Sequence, residues 1–210
     1  MVTTDNNIVD SPHQDEKLID IWGRRTPRFE KRYEDSVLRV LSTYGIKAGE
    51  NTEAKGKILG AGYEPIIIAF FIGLYENKRL PLSTNSEEIK DKGVGHYLKF
   101  WGNNNNKLRN AYPRLREYIF DALVARTDID WIALDKGELK VGDVVTRLMN
   151  TMEEYVNYGL SVMEDKLEQD KGYFFSQRSF LDMFMEITKK EPIDPNKAMP
   201  TDNDDVESLD

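Results

Sequence analysis

The stretch Tyr63-Glu64-Pro65, followed by Ile66-Ile67-Ile68-Ala69-Phe70-Phe71-Ile72-Gly73-Leu74-Tyr75, constrains this chain most. Ten residues pass without a charge before Glu76-Asn77-Lys78-Arg79 closes the run. A segment this apolar must be buried, and the rest of the chain is organised around it. It is about half of the roughly 20 residues that a helix needs to cross a bilayer, so it reads as core and not as a membrane span. The isoleucine triplet favours a strand by β-branching. The length of the run and its lack of alternation favour a helix over residues 65–77, opened by Pro65.

The neighbouring sequence has a helical period. Thr26-Pro27 is a start signal, with Phe29, Tyr33, Val37, Val40, Leu41 and Tyr44 on one face and Gly45 as the stop. Thr84 and Glu87 have the spacing of a capping box ahead of Ile89, Val94, Tyr97, Leu98 and Trp101. A helix through Leu115, Ile119 and Leu123 follows, and then a short one over 128–134 ahead of the turn Asp135-Lys136-Gly137. The longest element runs from about 141 to 167, its apolar stripe marked by Val144, Leu148, Met152, Tyr155, Val156, Met163 and Leu167. A last helix starts near Ser176, with Phe175 and Phe180 placed as a hydrophobic staple. The fold class expected is all-α, an irregular bundle of six to seven helices forming one domain over 19–190. Residues 1–18 and 191–210 are polar, acidic and proline-broken, and read as disordered tails.

Composition removes whole classes of chemistry. The 210 residues contain no cysteine, which excludes disulfides, thiolate nucleophiles and cysteine-ligated metals. His13 lies in the expected tail. His96 is therefore the one histidine available to a triad, and its helical position predicts a partly buried structural residue. No metal-binding spacing occurs, Asp128-Ile129-Asp130 reads as a helix cap, and no cofactor is indicated. No phosphate-loop spacing accompanies Gly56, Gly60 and Gly62. Glu64 is placed to interact with a helix dipole. The start of the chain has no secretory pattern, and the protein is expected to be cytoplasmic and without a membrane partner.

The net charge of −8 is unevenly spread: residues 20–126 are richer in Lys and Arg, and residues 127–210 in Asp and Glu. Basic residues gather at Arg24, Arg25, Arg28 and Arg32 near Trp22, and again at Lys107, Arg109, Arg114 and Arg116 beyond an asparagine loop. The exit of the apolar run adds Asn77, Lys78 and Arg79. These are the candidate binding residues, and their mixture of cations, amides and aromatics suits phosphates and bases. The methionines and acidic face of the long helix suit a protein contact or a dimer. The leading expectation is a non-catalytic helical accessory or adaptor protein in a larger bacterial assembly, with a protein partner or a homo-oligomer. The second is a nucleic-acid-associated protein that uses the basic residues of 20–126. The third is a carboxylate-dependent, glycosidase-like hydrolase.

Overall fold

A computed structural model describes residues 16–45, 57–102, 112 and 114–189. The described residues are mostly helical, with seven α-helices and one two-stranded ribbon. The helices are α1 (Leu18–Gly23), α2 (Arg39–Leu41), α3 (Glu64–Glu76), α4 (Leu115–Arg126), α5 (Trp131–Asp135), α6 (Val141–Gln169) and α7 (Ser179–Thr188). Strands β1 (Phe29–Glu30) and β2 (Ile89–Lys90) pair antiparallel. No described helix is long and apolar enough to cross a membrane.

The apolar run is α3. Pro65 occupies its first turn, and Asn77, at φ 51°, ends it in the left-handed conformation that closes many helices. The Gly60 N–H donates to the Glu64 carboxylate at 2.7 Å, so this acid ties the preceding loop to the helix start. One face of α3 is buried against α6, including Ile66, Phe70 and Ile72, each worth about 1.5–3 kcal/mol relative to exposure. Two glycines bring the backbones together. A methyl at Gly73 would collide with the Tyr155 carbonyl, and one at Gly159 would collide with the Ala69 carbonyl. Only a residue without Cβ allows this approach. The pairing of 69 with 159 and 73 with 155 makes the crossing antiparallel. Helix α6 is the spine, and Met149, Met152 and Met163 are buried in the core around it instead of forming a partner surface.

Three sequence expectations are corrected. The helix expected from Thr26-Pro27 begins later, with a π-helical turn at Glu34–Leu38 that leads into α2. Before it the chain is extended, because the Arg28 N–H donates to Glu153 and the Lys31 N–H to the Glu88 carbonyl. These long-range partners outweigh the local helical preference, yet Phe29, Tyr33, Val37 and Leu41 are all buried as the period required. The second correction is the helix expected from Thr84 to Trp101. A 3-10 turn at Ser86–Glu88, strand β2 and a second 3-10 turn at Leu98–Phe100 take its place. The cap is Asn85, which accepts from the Glu87 N–H, and Gly93 at φ 48° and Gly95 at φ 74° turn the chain away from a helix. The third is the start of α7, which begins at Ser179. Phe174 stacks on Phe180 at 5.0 Å, and Phe175 is exposed.

Candidate functional site

A cavity forms where three segments meet. The extended segment after α1 supplies Arg24, Arg25, Thr26 and Arg28, the β2–Leu98 loop supplies Asp91, Lys92, Gly95 and Tyr97, and α6 supplies the floor. Thr146, Met149, Asn150 and Glu153 fall on one face of α6 at helical spacing, and the whole encloses about 700 Å³. The two loops are pinned to each other. The Leu98 N–H donates to the Arg25 carbonyl at 3.0 Å, and Gly93 sits against the Pro27 carbonyl with no room for a side chain.

Charge in this cleft is only partly compensated. Glu153 is buried and takes a fork from Arg28: Nε donates to both carboxylate oxygens at 3.1 Å, Nη2 at 2.8 Å, and the Arg28 backbone N–H adds a bond at 2.9 Å. That hydrogen bonding raises the Arg28 pKa further, and the pair holds both side chains in place. Arg24 pairs with Glu16. Arg25 and Lys92 are exposed and make no ion pair among the described residues. Tyr97 is 51% exposed, and its ring lies 6.4 Å from that of Phe100. Asn150 is exposed, and its amide has no hydrogen bond among the described residues.

The other sequence candidates are committed to partners within the chain. Arg32 bridges Glu30 and Glu164, both at 2.9 Å, and donates to the Tyr33 hydroxyl. Lys78 pairs with Glu76 at 2.8 Å and donates to the Tyr158 hydroxyl at 3.1 Å. Arg79 lies over the Tyr155 ring, donates to the Arg126 carbonyl and stands 3.9 Å from Glu154. Asn77 accepts from the Arg126 guanidinium at 3.3 Å. Arg114 reaches Glu117 at 3.4 Å, and Arg116 reaches Asp20 at 3.7 Å. Lys107 and Arg109 lie outside the described residues, as do His13 and the asparagine loop. Thus Arg24, Arg25 and Arg28 meet in one cleft, while the remaining described candidates bind partners elsewhere in the chain, Arg114 within its own helix start and the others between segments.

His96, Glu153 and Glu164 differ from their sequence reading, whereas Trp22, Trp101 and Asp130 agree with theirs. His96 is exposed in a loop, not partly buried on a helix, and its backbone carbonyl accepts from the Trp101 indole at 3.3 Å. Trp22 and Trp101 are core. Asp130 caps α5 by accepting from the Ala133 N–H at 2.9 Å. Glu153 and Glu164, read as part of the acidic face of the long helix that suits a protein contact, are turned toward Arg28 and Arg32. No group of three or more metal-ligating acids or histidines occurs among the described residues.

A second concavity, of about 470 Å³, runs between α3 and α7. Ile67, Ile68, Phe71 and Tyr75 line one side, and Leu181, Phe184, Met185 and Thr188 the other. Tyr75 is 60% exposed, Leu181 57% and Met185 46%. Sequence reasoning missed this groove because it assigned all of the apolar run to the core. The signal was present, since seven of the eight lining residues are apolar. Lys92, Tyr97, Thr146 and Asn150 were also missed as a group, because only the turn at Gly93 and Gly95 brings the first two against α6. Among known protein families, curated proteins and solved structures, none matches this chain.

Proposed function

We propose that this protein is a non-catalytic helical accessory or adaptor subunit, seated in a larger assembly through the groove between α3 and α7. The observation that carries this reading is the unpartnered apolar face formed by Phe71, Tyr75, Leu181 and Met185. Single exposed apolar residues are ordinary, whereas a continuous lined groove marks an interaction surface. The occupant we infer is an amphipathic helix of a partner protein, with apolar residues spaced i, i+4 and i+7 along the groove. Asp182 and Glu186, on the same helix, are paired with Arg178 and Lys166, so what the groove offers a partner is apolar. Methionine at the rim suits a surface that adapts to its partner. The buried Glu153 and the half-buried Glu30 and Glu164 support a non-catalytic role, since each serves a structural arginine or amide. The same reading places the assembly in the cytoplasm.

A photo-crosslinking residue at Met185, introduced in the cells that make the protein, tests this. One adduct with a different protein is expected, mapping to a helical segment of it, and Leu181→Glu should abolish it without lowering Tm. An adduct with a second copy alone, or none, overturns the reading.

A further inference from the structure

We propose that the cleft between the Arg24–Arg28 segment, the Asp91–Tyr97 loop and α6 binds a nucleotide unit. Its phosphate would lie against Arg25 and Lys92, and its base against Tyr97. The site shares no residue with the α3–α7 groove and stands independently of the role assigned to that groove.

Four observations converge. The cavity, about 700 Å³, lies within the roughly 300–1,000 Å³ typical of small-ligand sites. Its lining carries four cations against two carboxylates, and one of those carboxylates, Glu153, is already saturated by Arg28. Arg25 and Lys92 therefore add two cations with no ion pair among the described residues to one cleft, set against the single remaining carboxylate of Asp91, for a net charge of +1. Finally, the exposed Tyr97 ring and the unoccupied Asn150 amide supply a stacking surface and a donor–acceptor pair, which a bare inorganic anion does not need.

The walls are fixed before any ligand arrives. The Arg28–Glu153 fork, the Leu98–Arg25 backbone bond and the Gly93–Pro27 contact join all three segments. The backbone therefore needs little ordering, and the entropy cost of binding falls on the exposed side chains. Arg32, Lys78, Arg114 and Arg116 all pair with acids of this chain, so they do not extend the free positive charge of the cleft. One or two phosphates and one base are what the cleft accommodates. A free nucleotide and a nucleotide within a single strand share this chemistry.

The full-length protein would be titrated with AMP, with a fluorescent oligothymidylate and with inorganic phosphate, at several salt concentrations. The expected result is binding of AMP or of the oligonucleotide, at least tenfold tighter than phosphate. For a strand held at two phosphates, log K should fall against log salt with a slope of about −1.4. The AMP arm identifies a free-nucleotide site, and the oligonucleotide arm a single-strand site. Arg25→Gln with Lys92→Gln should abolish binding, and Tyr97→Ala should weaken it on the order of tenfold. Arg114→Gln, which alters a cation already paired with Glu117, should leave it unchanged. All three variants alter exposed side chains and should keep the parental Tm. The proposal is overturned if neither ligand binds better than phosphate. It is equally overturned if the Arg25 and Lys92 changes have no effect, or if Arg114→Gln weakens binding as much as they do.

Discussion

Helix α6 meets the rest of the molecule in two contrasting ways. Toward α3 the contact is dry and built from backbone proximity, with Gly73 and Gly159 letting each helix lie on the other's carbonyls. Toward the β1 segment the contact is polar. Glu153, Asn157 and Glu164 form one stripe along α6 and engage Arg28, Glu30 and Arg32. Asn157 is fully buried, and its amide also donates to the carbonyls of Leu80 and Pro81 at 3.3 and 3.1 Å. The dry contact depends on the absence of atoms, and the polar one on the presence of partners. The first is therefore intolerant of any addition, while the second can be dismantled bond by bond.

The largest effect should come from adding an atom to the dry contact. Gly159→Ala is expected to cost about 3 kcal/mol or more, because the new methyl meets rigid backbone and not a movable side chain. Urea unfolding at constant m-value measures it, and an unchanged midpoint would mean that the crossing is looser than described. Next comes removal of a partner from the polar side. Arg28→Ala leaves the buried Glu153 carboxylate without its fork, and should cost about 2 kcal/mol. A double-mutant cycle with Glu153→Gln should recover about 1 kcal/mol of coupling. Additivity would show that the two residues act independently and would erase the contrast.

A smaller effect should appear with pH. Burial pushes the Tyr33 phenol well above its ordinary pKa, so the folded state holds a proton that the unfolded chain releases near pH 10. Its contribution is complete below about pH 10 and is lost as pH rises above that value. Thermal scans from pH 8 to 11 should show this decline, and Tyr33→Phe should make it shallower. An equally steep decline in that variant would remove Tyr33 from the polar contact's pH response. The smallest change is Arg25→Gln, expected within about 0.5 kcal/mol of the parent, since the side chain is exposed and unpaired among the described residues. A larger loss would extend the polar contact into the cleft.

The sequence revealed the two regions unequally, for a physical reason. Helices α3, α4 and α6 were legible because their apolar residues recur at the helical period and caps or turns bound them. The segment after Thr26 carries the same period in Phe29, Tyr33 and Val37, and the segment after Thr84 carries it in Ile89, Val94 and Leu98, yet the first begins extended. Its backbone donors are satisfied by Glu153 and Glu88, which lie far away in sequence. Candidate cations were legible as a composition, but their pairing was not. Arg25 and Arg28 are three residues apart, and only the fold gives one of them a buried acid. The α3–α7 groove was hidden by a different effect, since an apolar run announces that it avoids water without stating which of its faces a neighbour covers.

The reciprocal glycines have a mechanical consequence. Gly73 and Gly159 each clear space for a carbonyl one turn away on the opposite helix. Sliding α3 along α6 by one turn, about 5.4 Å, would bring side chains where only hydrogen fits. Shear between these helices is therefore blocked in both directions. The central pair moves as a single strut, so a displacement of α3 at the groove is carried by α6 to the floor of the cleft.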